Sequence, residues 1–379
     1  MPHISQSILP DQFVSGLRLV FAQSGAETVA RTSWLWFGCA FLKPKGRSLP
    51  SKVMKSVVLA AFMLLLIVVV GYGQDTPRPS SDPDAAKLVT SDIQNFWRAF
   101  DQAKPETAVE VFEREYFKPG SIGLADFTKL RLKDAKNLAA RVNQYRTYYE
   151  SARASTLKIE SMQPKIRASF YALKYLYPEA VFPDVYFVVG MLSTGGTTSG
   201  RALLIGSEMY GRTPNTPVET LNDWLKQVLA PVENVPIIVA HELIHFQQKT
   251  PWQQRTTLLG QSIHEGSADF LAELISGGNI NAHLFVYGDP RERQLWQEFK
   301  SAMMGKNISQ WLYNGANAKD RPADLGYYMG YKITAAYYEQ ATDKRKAVKE
   351  ILEIKDFEQF LRDSGYERKF TNSPQEKSK

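Results

Sequence analysis

The sequence predicts an α+β fold, mostly helical with a small β-sheet, on three observations. Most tracts between residues 91 and 361 repeat their apolar residues at helical spacing. Two short runs, 184–190 and 202–206, are instead dominated by β-branched, aromatic and aliphatic residues, as strands are. The apolar stretch 235–246 is too long for a typical strand, and Pro236 stands where the first turn of a helix tolerates proline.

Taken in chain order, residues 1–53 are basic without an apolar period and precede a second methionine, Met54. They are expected to be a non-native upstream extension and no domain. Residues 54–73 read as a signal peptide: Met54-Lys55, fourteen consecutive apolar residues at 57–70, then Gly71-Tyr72-Gly73. That predicts export, to the periplasm, the cell envelope or the outside. The alternative is a retained anchor at 57–70, with Lys43, Lys45, Arg47, Lys52 and Lys55 on its inner side, and membrane contact only in that case.

Residues 74–90 read as a linker rich in Pro, Ser and Asp. A helical N-terminal part is expected over 91–178, with helices at 91–103, 107–117, 124–152 and 159–176. Residues 179–368 form the second part, which holds both strands and, between them, a Gly/Thr/Ser loop at 193–200. Its later helices fall at 291–304, 325–341 and 347–361, and 369–379 is a disordered tail.

Composition narrows the function. The chain is 44% apolar and 22% charged, which suits a globular protein with a large core. Its formal charge of +7 is mostly a property of the leader. Residues 1–74 hold 7 Lys/Arg and 2 Asp/Glu, so 39 basic and 37 acidic residues remain and the charge falls to +2. Nucleic-acid binding gains no support from it. The single cysteine, Cys39, lies in the leader, so the remainder has neither disulfides nor cysteine–metal sites.

The chemistry is concentrated in His241-Glu242-Leu243-Ile244-His245 and, twenty positions on, in Glu265-Gly266-Ser267-Ala268-Asp269. Helical positions four apart share a face, so His241 and His245 can offer their rings to one point. Glu242 is turned ~100° away, beside a bound ion and not on it, where a base suits. A catalytic zinc keeps three protein ligands and one open position for water, and His241, His245 and Glu265 meet that count. Asn234 is a plausible cap for the first helix, and Ser262 for the second, which Gly277-Gly278 ends. Asp269, one turn past Glu265, is placed to accept the free ring N–H of a ligand histidine. Gly266, Ser267 and Ala268 are small enough for close packing of the two helices.

Together these two motifs resemble the gluzincin metallopeptidases, and so imply a zincin-like fold with a small sheet beside the active-site helix. The Glu-Gly-x-Ala-Asp-Phe form, with the late segment Gly326-Tyr327-Tyr328-Met329-Gly330-Tyr331, is more similar to a family of predicted bacterial zinc-dependent proteases. Gliding-motility lipoproteins are distant relatives of that family. The acylated cysteine of a lipoprotein has no counterpart at the expected processed N-terminus. The resemblance implies one Zn2+ on His241, His245 and Glu265, Glu242 as general base, and Asp269 behind a ligand.

The expected activity is hydrolysis of peptide bonds in a peptide or protein substrate, by a zinc-bound water that Glu242 deprotonates. An oxyanion donor is expected from Tyr328, with Tyr327, Tyr331 and His264 as further candidates. The edge strand that pairs with substrate is expected within 201–210. The competing expectation is a catalytically inactive, peptidase-derived binding or assembly factor of the envelope, with a structural zinc.

Overall fold

The computed structural model describes residues 78–371, so the expectations for the upstream extension, the signal peptide or anchor, and the last residues of the tail lie outside the described residues. Helices of eight or more residues are labelled here. The four-stranded sheet comprises β1 (Leu88–Val89), β2 (Asp184–Val188), β3 (Gly196–Thr198) and β4 (Ala202–Gly206), in the spatial order β1-β2-β4-β3. β2 runs parallel to β1 and to β4, and β3 alone is antiparallel. β4 is buried along its length and β2 nearly so, which explains runs of apolar residues without alternation.

Two expectations are corrected here. The substrate edge was sought in 201–210, but β4 lies inside the sheet between β2 and β3. The edge strand beside the helix Val235–Gln247 is β3, concealed in the 193–200 loop because three residues of Gly and Thr carry no apolar signal. The expected linker also contributes structure: Leu88 and Val89 pair with Val185 and Tyr186, and Ser80 bridges Phe182.

The N-terminal helices α1 (Ser91–Gln102), α2 (Ala135–Gln144), α3 (Arg146–Leu157) and α4 (Gln163–Leu176) fall close to their expected places. The expected tract 124–152 is broken, because Lys133 adopts φ 70° and Asp134 caps α2 by accepting from the Asn137 N–H at 2.8 Å. Around α1 an aromatic cluster forms, with Phe96 against Phe112 at 5.5 Å and Tyr116 at 5.4 Å. Its tyrosines reach the segment after β2. Tyr116 Oη donates to the Val189 carbonyl at 2.8 Å and accepts from its N–H at 2.9 Å, and Tyr149 Oη donates to the Gly190 carbonyl at 2.9 Å.

The C-terminal half packs around α5 (Val235–Gln247) and α6 (Leu258–Ser276), followed by α7 (Glu292–Ala302), α8 (Leu325–Gln340), α9 (Lys344–Leu352) and α10 (Phe357–Ser364). α5 packs on β3, β4, α4 and α6. Neither expected cap forms: Asn234 makes no side-chain cap bond, and Ser262 lies inside α6, which Thr257 caps by accepting from the Gly260 N–H. The small residues of α6 serve α8 as well as α5. A Cβ on Gly330 would stand 1.7 Å from the Ser262 carbonyl oxygen, and one on Gly266 2.1 Å from Tyr331 N, so α6 and α8 cross backbone to backbone.

Candidate metal centre

α5 presents His241, Glu242 and His245 on its buried length, and α6 brings Glu265 across to them. One ligand atom from each of His241, His245 and Glu265 lies within 4.8 Å of the other two. His245 Nε2 is 3.0 Å from His241 Nε2 and 3.1 Å from Glu265 Oε2. The histidines and glutamate singled out in the sequence are therefore together, and the group could hold a metal ion.

The outer nitrogens fix what the inner ones present. His241 Nδ1 is 2.8 Å from Asp269 Oδ1, and a carboxylate can only accept, so that nitrogen carries the proton. His245 Nδ1 is 2.8 Å from Gln248 Oε1. The Gln248 amide is oriented by its Nε2, which donates to the His264 carbonyl at 2.8 Å and to Ser267 Oγ at 3.1 Å. Nδ1 of each ring thus carries a proton, and the two Nε2 atoms point toward each other and toward a carboxylate oxygen. Acceptor atoms so close together in a buried site need positive charge among them, supplied by a proton on His245 or by a cation. The donor set, two imidazoles and a carboxylate, fits a divalent metal ion.

The same demand for positive charge appears in the acidities. Burial opposes a charge on His245, yet Glu265 and Glu242 beside it push its pKa up to about 9. Burial alone would raise Glu265, but His245 and His241 hold it well below the usual carboxylate range. Glu242 is only 6% exposed, and burial raises its carboxyl. It lies against the edge strand, where a Cβ on Gly196 would come 2.6 Å from Glu242 Oε1.

Two residues in this environment carry no sequence signal. Tyr313 comes from the segment before α8, at φ 55°, and its hydroxyl donates to Glu265 Oε1 at 2.7 Å, leaving Oε2 toward the histidines. Gln248 follows α5 and orients His245. Both sit outside any helical period, so spacing could not have found them.

The oxyanion candidates separate by one residue. Tyr328 is fully buried, its hydroxyl donating to Asp289 at 3.0 Å and its ring packed on Phe285. The expectation for Tyr328 is thus corrected: its hydroxyl is engaged by Asp289 and not directed at the triad. Tyr331 is likewise engaged, by Glu273 at 2.9 Å. Tyr327 instead stacks on His241, with centroids 6.4 Å apart and planes 24° from parallel. His264 lies against His245 at 4.7 Å, and burial holds its pKa well below the usual imidazole value.

Helix-rich architecture, a small mixed sheet and a buried His–His–Glu group define the class. The chain belongs to the family of gliding motility protein GldB, whose family model matches residues 78–368. That family is one of cell-envelope lipoproteins. Comparison with curated proteins and with solved structures finds no match. Among the described residues no helix is long and apolar enough to cross a membrane.

Proposed function

We propose that this chain is an exported zinc metallopeptidase of the gluzincin type with a zincin-like catalytic part. The observation that carries the reading is the convergence of His241 Nε2, His245 Nε2 and Glu265 Oε2. His241, His245 and Glu265 would hold Zn2+. Bound there, the ion would supply Lewis acidity, which lowers the pKa of a water to about 7 and polarises a carbonyl.

The protein's own groups supply the rest. Glu242, poised beside the triad but outside it, takes the proton of the attacking water and passes it to the leaving amine. Burial, which raises its pKa, suits a carboxylate that must both accept and release a proton. Tyr327, whose hydroxyl makes no hydrogen bond among the described residues, takes the oxyanion role first expected of Tyr328. β3 has no strand on its outer side among the described residues. An extended peptide pairing there would run past Glu242.

The second reading is a non-catalytic envelope binding or assembly factor with a structural zinc, and the family's link to gliding motility favours it. Elemental analysis together with hydrolysis of a peptide library by the natural chain and by Glu242→Gln separates the two. Catalysis requires a variant that keeps its zinc and loses several orders of magnitude in rate. Equal activity in both removes Glu242 as the base, and none in either protein supports the second reading.

A further inference from the structure

Arg255 stands beside the metal centre as a cation with no acid to match it. It follows the single turn Trp252–Gln254 between α5 and α6, and its side chain is half-buried. Its Nε is buried without a hydrogen-bond partner. Its Nη1 meets only the imidazole of His264. Among the described residues it forms no ion pair. Half-buried Arg201 and Arg321 by contrast are paired: Arg201 grips Asp126 through bonds of 2.9 and 2.8 Å, and Arg321 holds Glu298 at 2.9 Å.

An unpaired guanidinium in such a place is costly, since burial works against its charge. Glu265 attracts it across the site but makes no hydrogen bond or ion pair with it, its oxygens being engaged by His245 and Tyr313. Arg255 Nη1 donates to His264 Nε2, a ring nitrogen that can accept but carries no negative charge, so the guanidinium is propped without being neutralised. The His264 ring lies against His245, which puts Arg255 two side chains from the metal ligands. A guanidinium has five N–H donors in a planar fork, and most of these remain unspent here. The partner that fits is a planar anion arriving with the substrate.

We propose that Arg255 is the carboxylate receptor of this site, so that the peptides it takes carry an anionic group at the receptor position. The carboxylate is either the free C-terminus of the peptide or an Asp or Glu side chain. This rests on the peptidase reading and names the substrate class within it.

The test uses the full-length, zinc-loaded Glu242→Gln protein, which binds without turnover, and N-acetylated hexapeptide pools of otherwise neutral residues. One pool ends in a free carboxylate, one in an amide, one in an amide with an internal Glu, and one in an amide with Gln there. Calorimetric titration should show ~10- to 100-fold tighter binding for the free-acid pool or the Glu pool, and which of them prefers the site identifies the source. Adding Arg255→Gln should erase the preference, and Arg255→Lys should retain part of it, with zinc content unchanged in both. Equal affinity for all four pools, or a preference that survives Arg255→Gln, overturns the proposal. Hydrolysis of the pools by the natural chain separates the two ideas. Cleavage without carboxylate preference removes the receptor and keeps the peptidase. Carboxylate-dependent binding without any cleavage removes the peptidase and keeps the receptor.

Discussion

His241 and Asp269 form a buried pair, Nδ1 to Oδ1 at 2.8 Å, in which the carboxylate has both oxygens committed. Its Oδ2 accepts from Asn281 Nδ2, also at 2.8 Å. A carboxylate at 2% exposure held from both sides cannot swing away, so the His241 ring is locked in one tautomer and one orientation. The pair fixes which nitrogen faces Glu265.

Asp269→Asn tests that role. The amide can still accept the His241 proton, but its NH2 then meets the NH2 of Asn281, and the ring loses the grip that fixes its orientation. Zinc affinity should fall ~10- to 100-fold in a competition with a coloured chelator. An unchanged affinity would free Asp269 from the role.

Tyr327→Phe removes one hydroxyl and leaves the ring stacked on His241. If that hydroxyl meets the developing oxyanion, kcat falls by ~10²–10³ while zinc content and KM hold. Tyr328→Phe is the comparison. It breaks the hydrogen bond to Asp289 and should lower stability by about 1 kcal/mol with kcat retained. The reverse pattern would restore the original assignment.

Both the success and the failure of the sequence have physical causes. His241, Glu242, His245, Glu265 and Asp269 were legible because each is positioned by a helix, and helical spacing converts directly into shared faces. Spacing does not tell Tyr327 from Tyr328, because one residue moves a side chain ~100° around the axis and nothing local says which face meets α5. Ser262 resembled a cap because polar residues mark helix starts, but α6 begins earlier, at the Thr257 cap, and Ser262 spends its small size against α8. Tyr313, Gln248 and Arg255 sit in connecting segments whose long-range partners leave no trace in any period. β3 was hidden because an edge strand of Gly and Thr resembles a loop.

The crossing of α6 and α8 makes a stability prediction. Gly330→Ala places a methyl 1.7 Å from the Ser262 carbonyl oxygen, a backbone atom that cannot rotate aside. Separating the helices should cost about 3 kcal/mol or more, seen as a lowered denaturant midpoint. Because Glu265 rides on α6, zinc affinity should fall with it. Gly200→Ala, which meets nothing within 4 Å, is the matched control and should leave both unchanged.

Glu208 predicts the pH dependence of folding. Its carboxylate accepts from the Gly190 N–H at 2.7 Å and the Leu192 N–H at 3.0 Å, holding the segment that leads into β3. Burial outweighs those bonds and lifts its pKa from 4.5 to about 7. The folded state therefore binds a proton that the unfolded chain releases, and the associated stability is complete below pH 4.5. It is lost as pH rises through about 7, by up to about 3 kcal/mol at 1.36 kcal/mol per unit. Urea denaturation of the zinc-loaded protein should show stability falling between pH 5 and 8. Glu208→Gln cannot titrate, so it should flatten that slope. It should also cost about 1–3 kcal/mol at pH 5, where its NH2 confronts one of the two backbone donors. A variant whose slope matches that of the natural chain would assign the pH dependence to another group.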